Sequence, residues 1–146
     1  MKTPTPPPSL ASSTTLSTVL DMIEEEGILD HVVQMGEHLQ RRAQALREHA
    51  IVGEVRCKGL MMGVELVRDR ATKEPFPAAQ GVARRVAEMA LEKGLHISAT
   101  SGVADWVDGD ELRFYPPLII RREEIDEVLG IIDEALGQVA REVGLG

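Results

Sequence analysis

Aromatic side chains are scarce in this sequence: Trp106, Tyr115, Phe76 and Phe114 are the whole supply, 3 % of 146 residues. Stacking platforms for unpaired bases need such rings, and their scarcity argues against a nucleic-acid surface. Basic charge is short as well. Lys and Arg number 16 against 24 Asp and Glu, a formal charge of −8, and a phosphate backbone is repelled by such a surface. Cys57 is the only cysteine, so no internal disulfide can form and nothing points to an oxidising compartment. No run of about 18 apolar residues occurs, and the opening residues carry prolines where a secretory leader needs an apolar stretch. A cytoplasmic protein with neither membrane nor nucleic-acid partner is expected.

Metal ligands are also wanting. His31 and His38 are separated by two helical turns, about 10 Å, too far to share one ion. His49 and His96 have no ligand company nearby, so hydrogen-bonded or solvated histidines are expected and no metal site. No glycine-rich phosphate loop is present, and Cys57 reads as a small buried hydrophobe.

What is present is the material of one globular domain, 43 % apolar and 27 % charged. Residues 1–13 read as a Pro/Ser/Thr-rich tail or linker, because KTPTPPP favours extended polyproline geometry, and residues 14–146 as the domain. A first helix starts between Leu10 and Leu16, uses Leu16, Val19, Leu20 and Ile23, and stops or kinks at Gly27. A second, with Leu29, Val32, Gly36, Leu39, Ala43, Leu46 and Ala50 on one stripe, carries its glycine at a cost of about 1 kcal/mol relative to Ala, which predicts close packing at Gly36.

IVGEVRC and LMMGVELV then read as an antiparallel pair around Lys58-Gly59, with Leu60, Met62, Val64 and Leu66 on one face. A turn-rich stretch follows. A third helix uses Val82, Val86, Ala90 and Leu91 and closes on Lys93-Gly94. Leu95–Ser98 reads as a short strand, residues 99–109 as a loop holding Trp106, and Glu111–Tyr115 as a strand stopped by Pro116-Pro117. Ile125, Val128, Leu129, Ile132, Leu136 and Val139 mark the last helix. This order predicts an α+β fold, a small and mostly antiparallel sheet with helices packed on one side.

Three segments carry a more specific message: residues 51–75 (IVGEVRCKGLMMGVELVRDRATKEP), 92–97 (EKGLHI) and 112–136 (LRFYPPLIIRREEIDEVLGIIDEAL). Together they resemble the C-terminal small domain of class-III, pyridoxal-phosphate-dependent aminotransferases, which typically reads dvRGrGLmlGvEl, then GL, iRfaPPL and eEID. LSTVLDMIEEEGILDHVVQMGEHL, residues 16–39, is similar to the family's preceding helices, and VRDRATKEP to its dialkylglycine decarboxylase and ω-aminotransferase branch.

The resemblance implies the small domain of a fold-type I enzyme that moves an amino group from an amino acid or ω-amino acid to a 2-oxo acid. Arg113, in the position of the Arg of iRfaPPL, is implied to take the substrate carboxylate, or to sit at the mouth of the site with a salt-bridge partner. A planar guanidinium suits that task, gripping a carboxylate with two parallel hydrogen bonds. Arg56 is implied to be structural. Two positions depart from the pattern. Cys57 stands where the family has Gly, so strain from a positive φ is expected; Arg121 stands where the last helix has a Thr or Ser cap, so a side-chain acceptor is lost.

None of Lys2, Lys58, Lys73 and Lys93 matches the family's Schiff-base lysine. The implied pyridoxal phosphate of the complete enzyme therefore belongs to a large domain, with no covalent cofactor and no catalytic residue on this chain. The implied partners are that large domain and a second copy in a homo-oligomer. The alternative is a stand-alone, non-catalytic interaction or small-carboxylate-binding module.

Overall fold

A computed structural model describes the backbone of residues 8–146 and the side chains of residues 15–146. The Pro-rich segment of residues 1–7 lies outside the described residues. Helix α1 spans Pro8–Glu25, starting two residues ahead of the earliest expected position, which proline tolerates because a first-turn residue needs no N–H partner within the helix. Gly27, at φ 63°, separates it from α2, Ile28–Ala43. α1 packs on α2, and Leu16, Val19 and Leu20 of its expected apolar face remain exposed.

The long second helix does not run unbroken to Ala50. It tightens into a 3-10 turn over Gln44–Glu48, which keeps Leu46 in the core and leads the chain into strand β1, Val52–Lys58. Strand β2, Met61–Asp69, pairs antiparallel with β1. The positive φ of the connecting turn falls on Gly59, at 54°. Cys57 pairs with Met62 inside the ladder and is not among the positive-φ residues, so the strain expected at Cys57 does not arise. Its thiol is half-buried against the core, and burial pushes its pKa up.

Within the turn-rich stretch a two-residue strand β3, Glu74–Pro75, adds to β2. Helix α3, Val82–Glu92, ends as expected at a left-handed Gly94 with φ 88°. Strand β4 is Ser98–Ser101, three residues later than expected. Leu95 and Ile97 are buried in the core, and the ladder to β5, Asp110–Phe114, begins only at Ser98. Apolar character marked the approach to the strand, and the strand itself is polar. Helix α4, Arg122–Glu142, closes the fold.

The sheet order is β1-β2-β5-β4 with β3 on β2, every pairing antiparallel. Its inner face carries Val55, Val64 and Leu112 side by side. Those three pack in one core with Leu39, Val86, Ile125, Ile132 and Leu136 from α2, α3 and α4. The architecture is the expected α+β one.

Candidate functional site

The opposite face of the same sheet is polar, and the ladder sorts its side chains into two rows. One runs Arg56, Gly63, Arg113, Ser98 across β1, β2, β5 and β4; the next runs Glu54, Glu65, Glu111, Thr100. Strand alternation produces both rows, because Glu54-Val55-Arg56 and Glu111-Leu112-Arg113 each place Glu and Arg two residues apart and hence on one face.

Arg113, the one residue the sequence pointed to for substrate, is therefore presented on this polar face beside a carboxylate. Its Nε donates to Glu111 Oε2 at 2.6 Å, and Arg56 Nη2 donates to Glu111 Oε1, also at 2.6 Å. Arg56 Nη1 donates to Glu54 Oε2 of its own strand at 3.0 Å, so it is the bond to Glu111 by which Arg56 ties β1 to β5 within the sheet. Glu111 is buried, at 7 % exposure, while Arg113 and Arg56 are partly open to solvent. The bond from Arg113 and the attraction of the Glu111 carboxylate raise the guanidinium above its ordinary pKa, so it remains charged at any working pH.

Gly63 makes this cluster possible. A Cβ there would stand 2.9 Å from Glu111 Oε1, so only glycine lets the carboxylate lie between the two arginines. Grooves open on both flanks of Arg113. One, of about 660 Å³, is lined by Arg56, Glu111, Thr100 and Trp106; the other, of about 780 Å³, by Lys93, His96, Tyr115, Ile119 and Arg121 among others.

Trp106 is 96 % exposed and sits at φ 72°. Its loop is tied down by Asp105 Oδ1, which accepts from the backbone N–H of Asp108 at 2.6 Å and of Val107 at 2.9 Å. Those two amides hold the Asp105 carboxyl below the usual range.

Glu111 was missed in the sequence, where a glutamate beside an arginine reads as a solvated strand position. The repeated Glu-x-Arg was the signal that both strands share a charged face.

The remaining candidates are structural. His31 Nε2 bonds Ile120 O at 2.8 Å, His38 Nε2 bonds Asp126 Oδ1 at 2.9 Å and His49 Nε2 bonds Asp133 Oδ1 at 2.8 Å. These three tie α2 and the turn after it to α4 and the segment before it. Among the described residues no group of His, Cys, Asp and Glu could hold a metal, and no helix is long and apolar enough to cross a membrane. Lys58, Lys73 and Lys93 are exposed, and Lys93 is paired to Glu134 at 2.8 Å. None is the desolvated amine that Schiff-base chemistry uses, so these residues do not fit a covalent pyridoxal site.

Comparison with known proteins gives a consistent picture. The family described as Aminotransferase class-III matches residues 9–136. The taurine–pyruvate aminotransferase of Rhodobacter capsulatus is 43 % identical over 122 residues, covering 83 % of this chain and 26 % of that protein. The leucine/methionine racemase of Thermococcus litoralis is 36 % identical over 122 residues, covering 83 % and 25 %. Among solved structures, the omega transaminase of Pseudomonas jessenii in complex with PMP superposes with a TM-score of 0.75 at 35 % identity, covering 87 % of this chain and 26 % of that one. The chain spans about a quarter of the length of the curated relatives it matches.

Proposed function

This chain belongs to the class-III aminotransferase family, and we propose that it serves as the C-terminal small domain of a pyridoxal-phosphate-dependent enzyme that transfers an amino group from an amino acid or ω-amino acid to a 2-oxo acid. The cofactor is held by a large domain outside these residues, and the chain alone is inactive. Its own contribution is Arg113, which receives the substrate carboxylate. The observation that carries this reading is the free end of that guanidinium: Nε is taken by Glu111, and no other side-chain bond of Arg113 exists among the described residues. A carboxylate binds such a free fork through two charge-assisted hydrogen bonds. Because the relatives include a racemase as well as aminotransferases, the shared small domain does not by itself select the reaction.

Two partners follow, a large pyridoxal-phosphate-binding domain and a second copy of the assembled enzyme. Support comes from the apolar residues left outside the core, Leu16, Val19, Leu20, Leu29 and Val33, since large exposed apolar patches mark interfaces. The test is reassembly. Mixing the chain with the large-domain half of a class-III aminotransferase is expected to restore transamination of a carboxylate-bearing amine. Tight complex formation with no activity for any amine donor would defeat the reading.

A self-sufficient small-carboxylate-binding module is the second reading, favoured by one observation: α2, α3, α4 and the sheet enclose a continuous core without help. A monodisperse monomer that ignores the large domain would select it.

A further inference from the structure

The polar sheet face contains two arginines bonded to one glutamate, yet only one of them has its terminal nitrogens free. Arg56 spends Nη1 on Glu54 and Nη2 on Glu111. Arg113 spends only Nε, on Glu111 Oε2. Glu111 is buried among charges that balance unevenly, one carboxylate against two guanidiniums, one of which also faces Glu54. The side-on edge of Arg113 is thus occupied and its end-on edge, Nη1 with Nη2, is open.

We propose that Glu111 is a positioning residue: by holding Nε of Arg113 from a fixed seat over Gly63, it turns the guanidinium so that a small carboxylate is accepted end-on by Nη1 and Nη2, and never side-on. The proposal rests on Arg113 being the carboxylate receptor and adds the direction of approach and the residue that sets it. The seat is fixed from three sides. Arg56 anchors the other oxygen of Glu111, the Glu111 backbone lies in the β2–β5 and β4–β5 ladders opposite Glu65 and Thr100, and Gly63 leaves no Cβ to lift the carboxylate away.

Charge alone cannot be the role. A carboxylate beside Arg113 weakens the attraction felt by any incoming anion, so a residue serving attraction would be neutral or basic. What a carboxylate on Nε supplies is orientation, and orientation matters to a planar, two-oxygen ligand and not to a spherical one. Glu111 therefore trades general anion affinity for preference between anion shapes.

The test uses the 146-residue chain labelled with ¹⁵N-arginine, with sodium acetate as the carboxylate probe and sodium chloride as the spherical one. In the wild-type chain the Arg113 Nε–H resonance, identified by its loss in Arg113→Lys, should exchange slowly with water and hold its position as acetate is added, while the Nη signals move. In Glu111→Gln, which keeps the shape and removes the charge, the preference for acetate over chloride should fall roughly tenfold, the loss of one well-aligned charge-assisted bond. An unchanged preference in Glu111→Gln overturns the proposal. So does an Arg113 Nε–H that shifts and loses protection as acetate enters, because the ligand would then be displacing Glu111. If Glu111→Gln fails to fold, the wild-type Nε–H behaviour alone decides. Loss of the acetate response in Arg113→Lys together with an unchanged preference in Glu111→Gln removes the positioning role and leaves the receptor. An acetate response that survives Arg113→Lys, or none in the wild-type chain, removes both.

Discussion

Gly36 of α2 lies against Gly59 of the β1–β2 turn so closely that a Cβ at position 36 would stand 2.8 Å from the Gly59 carbonyl carbon and 2.9 Å from its Cα. Backbone meets backbone there, and neither side can give way as a flexible side chain would. Gly36→Ala should therefore destabilise the domain by about 1–3 kcal/mol, the cost of overpacking, despite the gain in helix propensity. Gly130 of α4 supplies the contrast, because it is exposed and a Cβ there meets nothing within 4 Å. Gly130→Ala should stabilise by about 0.5–1 kcal/mol. Denaturation midpoints of the two variants moving in the same direction would contradict this account.

Helix α4 begins with half of a reciprocal cap. Glu124 reaches back so that Oε2 accepts from the backbone N–H of Arg121 at 2.8 Å, and Arg121, in extended geometry at φ −94° and ψ 161°, offers no side-chain acceptor in return. Its guanidinium instead donates to Glu124 Oε1 at 3.0 Å. Arg121→Thr should complete the box, a gain of about 0.5–1 kcal/mol. The exposed ion pair it sacrifices is worth little, typically below about 1 kcal/mol. A lower midpoint would show that the ion pair matters more than the cap.

Asp110 carries a pH signature. It is fully buried beside the N-terminus of α3. Burial pushes its carboxyl up, against the opposing effects of Ser101 Oγ–H, the backbone N–H groups of Ala83 and Val82, and Arg84. A raised folded pKa means that the folded state holds the proton more tightly than the unfolded chain. The resulting stability is complete below the ordinary aspartate value of about 4 and is lost as pH rises through the folded value. Asp126, Glu124 and Glu142 run the other way, held below the usual range chiefly by hydrogen bonds from His38, Arg121 and Arg85 respectively. Their stability is present above the ordinary carboxylate values and is lost as pH falls. Asp110→Asn should thus improve relative to wild type as pH rises from 3.5 to 7. A difference in stability independent of pH would place the Asp110 proton elsewhere.

Period and punctuation made most of the architecture legible. Gly27, Gly59 and Gly94 mark real left-handed turns, and the stripes of α3 and α4 bury Val86, Ala90, Ile125, Ile132 and Leu136 as their spacing requires. Legibility ended where tertiary contacts overrode local pattern. Leu95 and Ile97 drew the strand reading because they are apolar, yet burial in the core took them ahead of the ladder and left polar Ser98–Ser101 to form the edge. Arg113 stood out through its motif, whereas Glu111 acquires meaning only when β1, β2 and β5 are placed side by side.

Arg113 itself is tested in the reassembled enzyme. Lys at this position keeps a charge but cannot hold Glu111 through one edge and a carboxylate through the other, because an ammonium is a point charge with no fork. Arg113→Lys should cost carboxylate-bearing amine donors about 2–3 kcal/mol, or roughly 30- to 150-fold in kcat/KM. Donors without a carboxylate should lose far less, and that contrast separates recognition from general damage, since a badly docked or unfolded domain impairs both alike. The denaturation midpoint should move little. Arg113 is partly exposed, and its single bond to Glu111 is duplicated in function by the bond from Arg56. Equal losses on both kinds of donor with an unchanged midpoint would make Arg113 a gate at the mouth of the cleft, and the carboxylate would have to find its cation elsewhere.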